Sequence, residues 1–185
     1  KASEPRPKHI HTTEVGLWGR PSCLNNVKTL NIVPEIINRG AEWYASIGTE
    51  KSKGTQVFSL AGKINNVGLV EVPMGTTVRE LVFDVGGGIP KDRAFKALQI
   101  GGPSGGFLPK DLLDMPMDYE TLAEAGSMMG TGGVIIADDC TCVIDTARYF
   151  LGFLQEQSCG KCSPCREGVK RMHEIMTGIT EGEGQ

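Results

Sequence analysis

Three cysteines, Cys159, Cys162 and Cys165, follow one another near the carboxyl terminus with two residues between each and the next. Thiolates at this spacing, on a tight loop that contains Gly160, can converge on three irons of one cuboidal 4Fe–4S cluster. Zinc sites usually take their four ligands as two separated pairs, so the third close cysteine favours iron and leaves zinc as the alternative. Disulfide bonds between such close neighbours are geometrically awkward.

The fourth ligand of such a cluster is not evident from the spacing. A two-cluster ferredoxin would place a further cysteine three residues beyond Cys165, but that stretch reads Arg-Glu-Gly-Val. The other cysteines are Cys23, Cys140 and Cys142. The last two are expected to pack in the core beside a helix cap at Thr141, with a helix separating them from the cluster loop by ~25 Å. The fourth ligand is therefore expected to come from further away.

Other candidate residues carry weaker signals. The three histidines, His9, His11 and His173, are expected at the surface and not as ligands. Lys161 and Arg166 either offset the negative charge of a cluster or are simply solvated. The glycine-rich residues 101–106 lack the dinucleotide-binding fingerprint, because their prolines oppose a helix that starts at once, and a loop is expected there instead.

Composition excludes several classes of function. The chain has 185 residues, with 39% hydrophobic and 22% charged residues and a net charge of −3. A binder of nucleic-acid phosphates is usually basic, so no nucleic acid is expected as a partner. No apolar run approaches the ~20 residues of a membrane helix, so no direct membrane insertion is expected. Residues 1–11 do not resemble a signal peptide, and the grouped cysteines suit metal in a reducing cytoplasm.

Hydrophobic spacing predicts a short helical segment followed by a small sheet. Residues 25–47 predict two helices that break at Gly40, with Pro34 in a first helical turn. Residues 55–61 and 68–72 predict a β-hairpin. A helix capped by Thr76 and a strand over residues 94–100 follow. This order fits a β-grasp module, in which a sheet wraps one helix.

The last third predicts the elements that hold the cysteine loop. A buried strand over residues 133–137 precedes a helix that begins near Thr141. A second helix is expected to begin at Pro164 with Ser163 as its cap. The cysteine loop therefore lies between two amphipathic helices.

These residues resemble a known family. The segment GLWGRP, the pair Asn25 and Asn26 with Val27, the glycine loop GGPSGG and above all EQSCGKCSPCREG look like the NADH-binding flavoprotein subunit of respiratory complex I, of NAD(P)-coupled FeFe hydrogenases and of formate dehydrogenases. The likeness covers essentially the whole chain. The glycine loop resembles that of the hydrogenase branch more than that of complex I, although Phe107 stands where that branch often has cysteine.

The resemblance implies a mechanism and a set of site residues. In that family a hydride passes from NADH to FMN, and single electrons leave through a 4Fe–4S cluster. Asn25 and Asn26 match the asparagines that reach the FMN phosphate, and Cys159, Cys162 and Cys165 match cluster ligands. The resemblance also implies a preceding FMN and NADH domain, a fourth cluster cysteine downstream, and partner subunits such as a 2Fe–2S thioredoxin-like subunit and hydrogenase or complex I subunits.

The chain is accordingly expected to be an internal fragment of an NAD(P)H-oxidising oxidoreductase subunit, inactive toward NADH by itself. The expected fold class is α+β, with an SLBB-like β-grasp module between a short helical segment and a helical 4Fe–4S-binding segment. The expected domains are residues 1–54, 55–109 and 110–185. The alternative is a β-grasp module that binds a ligand or protein and contains a zinc-stabilised cysteine site.

Overall fold

A mixed sheet of five strands forms the centre of this computed structural model, which describes residues 10–183. The extreme amino terminus, with His9, lies outside the described residues. The strands are β1 (Thr55–Gly62), β2 (Gly68–Pro73), β3 (Phe95–Ile100), β4 (Gly106–Pro109) and β5 (Gly133–Asp138), in the sheet order β2-β1-β5-β3-β4. All pairs are antiparallel except β1 with β5. The expected mixture of helices and a sheet is therefore confirmed, and the narrower SLBB-like assignment stays a prediction.

The central strand, β5, was expected outside the β-grasp module. It instead pairs with β1 through Leu60 and Val134, and with β3 through Leu98 and Ile136. The apolar run of β5 predicts a strand, but local pattern does not reveal which strands it joins across ~70 residues of chain. The sheet therefore continues past residue 109 and ends at Asp138.

One face of the sheet packs on the hydrophobic core. The short π-helix Glu80–Val85 lies against it and buries Leu81 and Val82 completely. Its amino terminus is closed by a reciprocal cap: Thr77 Oγ1 accepts the N–H of Glu80, and the Glu80 carboxylate accepts the N–H of Thr77 at 2.8 Å. The predicted cap at Thr76 was therefore wrong by one residue.

The segment between β4 and β5, which includes helix α3 (Tyr119–Glu124), adds buried side chains to the same core: Leu113, Met117, Leu122 and Met129.

Two helices precede the sheet, as predicted: α1 (Val27–Arg39) and α2 (Ala41–Ala45). Gly40 separates them with a φ of 92°, a conformation that glycine adopts without a steric penalty. Pro34 lies inside α1 and not in the first turn that was expected for it.

The last two helices, α4 (Val143–Gln157) and α5 (Lys170–Thr180), pack against each other. A π-helical turn, Pro164–Val169, leads directly into α5. His173 on α5 is half-buried, and its ring faces Gly152 of α4, so the expected surface position was wrong. Within residues 10–183, none of the helices combines the length and apolar character that crossing a bilayer would require.

Caps at the ends of α4 and α5 differ from the prediction. Cys142, and not Thr141, caps α4, and its Sγ accepts the N–H of Asp145 at 3.5 Å. Cys140 and Cys142 are both exposed, so the expectation that they pack in the core was wrong. Ser163 has helical dihedral angles and makes no side-chain capping bond, because the helix already includes it.

Candidate iron–sulfur site

The cysteine loop begins where α4 ends. Ser158 turns the chain out of the helix with extended dihedral angles, and its hydroxyl accepts the N–H of Gly160 at 3.2 Å. Gly160 has a φ of 74°, a left-handed conformation that favours glycine. The guanidinium of Arg166 then donates to the Gly160 carbonyl at 2.6 Å. These contacts hold the loop closed between α4 and the π-helical turn.

The three thiols of this loop, Cys159, Cys162 and Cys165, are all exposed. Cys165 Sγ lies 3.3 Å from the hydroxyl of Ser158, so the far side of the loop returns to its start. Within residues 10–183, no three His, Cys, Asp or Glu side chains are grouped as a metal site. The loop therefore brings the cysteine backbones together, but the sulfurs do not converge on one point.

The donor set nevertheless fits an iron–sulfur cluster. The loop offers three soft sulfur ligands, and thiolates are the ligands that such clusters take in proteins. Exposure leaves each thiol free to change rotamer without displacing core side chains. In the part of the chain that the structure describes, Cys23, Cys140 and Cys142 do not join the group, so a fourth cysteine ligand is not found there.

Positive charge surrounds the loop. Lys161 lies inside it and is exposed, and Arg166 follows the third cysteine. Arg166 also forms an ion pair with Glu167 at 3.1 Å, which partly neutralises its positive charge. The helix that begins at the loop adds unpaired N–H groups in its first turn, and these favour negative charge nearby. The loop is therefore electrostatically suited to an anionic thiolate centre.

Asn25 and Asn26 lie elsewhere, at the amino terminus of α1, and both are exposed. Asn26 caps this helix, because its side-chain Oδ1 accepts the N–H of Lys28 at 2.9 Å. Of the two asparagines that the sequence indicates as phosphate contacts, Asn26 thus caps a helix, which is a common role of asparagine. The amide N–H₂ group of Asn26 is not used by the cap and can still donate.

A cleft of about 740 Å³ lies between α1 and the sheet, next to Asn26. Lys28 crosses it and donates a hydrogen bond from Nζ to Gln56 Oε1 at 2.9 Å. Burial lowers the pKa of Lys28, and the nearby Glu71 partly opposes that effect. Sequence reasoning missed this lysine and the buried Gln56, since only the tertiary placement of α1 on β1 brings them together.

Comparison with known proteins finds a family model that matches the residues around the cysteine loop. Residues 145–185 match the family model of the NADH-ubiquinone oxidoreductase-F iron-sulfur binding region. The NADP-reducing hydrogenase subunit HndC of Solidesulfovibrio fructosivorans is 51% identical over 184 residues, which are 100% of this chain and 38% of that protein. An F-type subunit of the NADH-quinone oxidoreductase of Rhizobium meliloti is 40% identical, over 100% of this chain and 44% of that protein.

A solved structure shows the same fold. The NAD+-reducing [NiFe]-hydrogenase in its air-oxidised state matches with a TM-score of 0.78 and 29% identity, over 97% of this chain and 30% of that one. The chain thus spans about two fifths of the length of the curated relatives that it matches. Residues 145–185 match an iron–sulfur binding region of the NADH-ubiquinone oxidoreductase-F type, and the whole chain is similar to one part of HndC and of the F-type subunits of NADH-quinone oxidoreductases.

Proposed function

We propose that this chain is the electron-transfer part of an NAD(P)H-oxidising flavoprotein subunit, in which Cys159, Cys162 and Cys165 ligate a 4Fe–4S cluster. One observation carries this proposal: the loop with three exposed thiols lies inside the region that matches the iron–sulfur family model. A bound cluster would supply one-electron chemistry, accepting and releasing single electrons.

The residues of the loop then have distinct roles. The three thiolates each bind one iron after a change of rotamer. Gly160 supplies the left-handed turn between Cys159 and Cys162. Lys161 and the first turn of the following helix stabilise the negative charge of the thiolates. Arg166 keeps the loop closed through its bond to the Gly160 carbonyl.

Asn25 and Asn26 are proposed to contact the phosphate of FMN in the intact subunit. Two facts support this role. Both side chains are exposed at the start of a helix of 13 residues, where free N–H groups favour an anion. The cap at Asn26 occupies only its oxygen, so its amide hydrogens remain available as donors. NAD(P)H is the proposed electron donor of that intact subunit.

The proposed setting is a cytoplasmic redox complex with several subunits. The relatives are named as subunits of an NADP-reducing hydrogenase and of NADH-quinone oxidoreductases. Identity is higher to the hydrogenase relative, at 51%, than to the oxidoreductase relative, at 40%, which supports a hydrogenase-type assembly. A 2Fe–2S thioredoxin-like subunit is the proposed electron partner. Within the chain, the β-grasp module is best bounded by residues 55–138, since the sheet ends there.

Anaerobic reconstitution tests the proposal. The chain is incubated with ferrous iron and sulfide, desalted, reduced with dithionite and followed by visible absorption and electron paramagnetic resonance. We expect a brown protein that bleaches on reduction, gains a paramagnetic signal and recovers its colour with an oxidant. The Cys23→Ser chain is the matched control and should behave identically. A colourless protein that retains zinc in preference to iron would support the zinc alternative and refute electron transfer.

A further inference from the structure

Cys140 and Cys142 form a second thiol pair that the proposed cluster does not use. They lie at the opposite end of α4 from the cysteine loop, with the 15 residues of that helix between the two sites. Both thiols are free and exposed. An exposed pair of thiols is a site for covalent chemistry that the electron-transfer role leaves unexplained.

The backbone around the pair is held in one conformation. The N–H of Thr141 bonds the carbonyl of Asp138 at 3.1 Å, which closes a turn. The Thr141 hydroxyl donates to the buried Asp138 carboxylate at 2.6 Å. Lys96 Nζ donates to the Thr141 carbonyl at 2.6 Å. Thr141 is therefore tied toward the sheet, and the cysteines on its two sides are left at the surface.

The separation of the two cysteines permits a disulfide bond. Residues two apart in a chain have Cα atoms at most ~7 Å from each other. Disulfide bonds span Cα distances of about 4.4–6.8 Å. The chain separation of the two cysteines is thus compatible with a disulfide bond, and a bond between such close neighbours is strained and easily reduced.

The two thiols have different surroundings. Arg93 is paired at 3.0 Å with Asp138, which lies three residues before Thr141 and two before Cys140. The hydrogen bond to Asp138 and then the charge of a Cys140 thiolate raise the pKa of this guanidinium. Cys142, in contrast, holds the N–H of Asp145 as the cap of α4. Arg93 is thus within electrostatic range of Cys140, whereas the Cys142 sulfur is held as the cap of α4.

We propose that Cys140 and Cys142 are a peroxide-reactive dithiol, in which Cys140 attacks and Cys142 resolves. The Cys140 sulfur attacks one peroxide oxygen, the O–O bond breaks, and the departing oxygen leaves as water with the thiol proton. The Cys142 sulfur then attacks the sulfenic acid, an S–S bond forms, the S–O bond breaks and a second water leaves. One peroxide is reduced and two thiols are oxidised to one disulfide, which an external dithiol reduces again.

Tryptic digestion separates this pair from every other cysteine. Cleavage after Lys110 and Arg148 releases residues 111–148, which contain Cys140 and Cys142 and no third cysteine. Cys23, an exposed cysteine with no neighbour in sequence, lies on a different peptide and reports background oxidation. The full iron-free chain is treated with one equivalent of hydrogen peroxide, alkylated, digested and analysed by mass spectrometry.

We expect the peptide 111–148 to lose two hydrogens, to resist alkylation and to regain both thiols with dithiothreitol. The yield should not change over a roughly tenfold dilution of the chain, because the second step is intramolecular. Cys23 should remain reduced at this dose. The Cys142→Ser chain should accumulate a sulfenic acid at Cys140, trapped by dimedone, and the Cys140→Ser chain should remain unoxidised at Cys142.

Three results would overturn the proposal. The peptide 111–148 could stay reduced at a dose that oxidises Cys23. Its oxidised form could consist of disulfides to other chains, with a yield that falls on dilution. The dimedone adduct could appear at Cys142 in the Cys140→Ser chain and not at Cys140 in the Cys142→Ser chain. Each result can be read in the folded chain, because both variants are checked by circular dichroism first.

Discussion

Residues 48–109 should not fold by themselves, although they contain four of the five strands. Cutting the chain at residue 109 removes the central strand β5 and exposes the unpaired edges of β1 and β3. It also removes six large side chains that are at most 4% exposed: Leu113, Met117, Leu122, Met129, Val134 and Ile136.

The size of the loss follows from this burial. Each large apolar side chain contributes ~1.5–3 kcal/mol when it is fully buried, so the six together contribute about 9–18 kcal/mol. Small domains have a net stability of only ~5–15 kcal/mol. The loss therefore equals or exceeds the whole free energy of unfolding, even before the missing hydrogen bonds of β5 are included.

Two segments of the chain, residues 48–109 and 48–141, test this reasoning. The longer segment should give dispersed amide signals in nuclear magnetic resonance and a cooperative unfolding transition in urea. The shorter segment should give neither. A cooperative transition of residues 48–109 would refute the account of β5 as an essential central strand.

Point variants in the full chain provide a matched comparison. Ile136 on β5 is 1% exposed, and its neighbour Ile135 on the opposite face is 36% exposed. Ile136→Ala should lower the free energy of unfolding by ~2–5 kcal/mol through loss of burial and creation of a cavity. Ile135→Ala should lower the free energy of unfolding by a clearly smaller amount. Equal losses at the two positions would contradict the assigned faces of the strand.

Three further predictions concern local features. Hydrogen bonds from Thr141 and then Arg93 lower the pKa of Asp138 in the folded chain. The Asp138 carboxylate therefore stabilises the fold fully above the ordinary Asp pKa of ~3.9, and this stabilisation is lost as the pH falls through the lower pKa of the folded state. Asp138→Asn should accordingly make the urea midpoint less dependent on acid pH. Thr77→Ala should lower the free energy of unfolding by ~1 kcal/mol, measured in urea, since the cap to Glu80 is lost. Gly160→Ala should reduce the iron content after reconstitution because its φ is 74°, whereas Gly168→Ala, where φ lies outside the left-handed region, should leave the iron content unchanged.

The sequence predicted the local elements well because their signals are local. The apolar stripe that begins at Val143 indicates α4, and the three-cysteine spacing indicates a thiolate centre. The partners of β5 and the approach of Lys28 to Gln56 could not be predicted, because both depend on contacts between distant parts of the chain. The exposure of Cys140 could not be predicted either, because cysteine is often buried and its position next to a strand is compatible with both burial and exposure.

The iron and sulfide content of the reconstituted chain tests the central claim most directly. Wild type, Cys162→Ser and Cys23→Ser chains are reconstituted anaerobically, desalted, and assayed for iron and sulfide per protein. The account predicts that wild type and Cys23→Ser chains bind iron and sulfide equally. It also predicts that the Cys162→Ser chain loses most of both, because Cys162, unlike Cys23, belongs to the three-thiol loop. Iron and sulfide retained by the Cys162→Ser chain at the wild-type level would contradict the assignment of this loop as the cluster site.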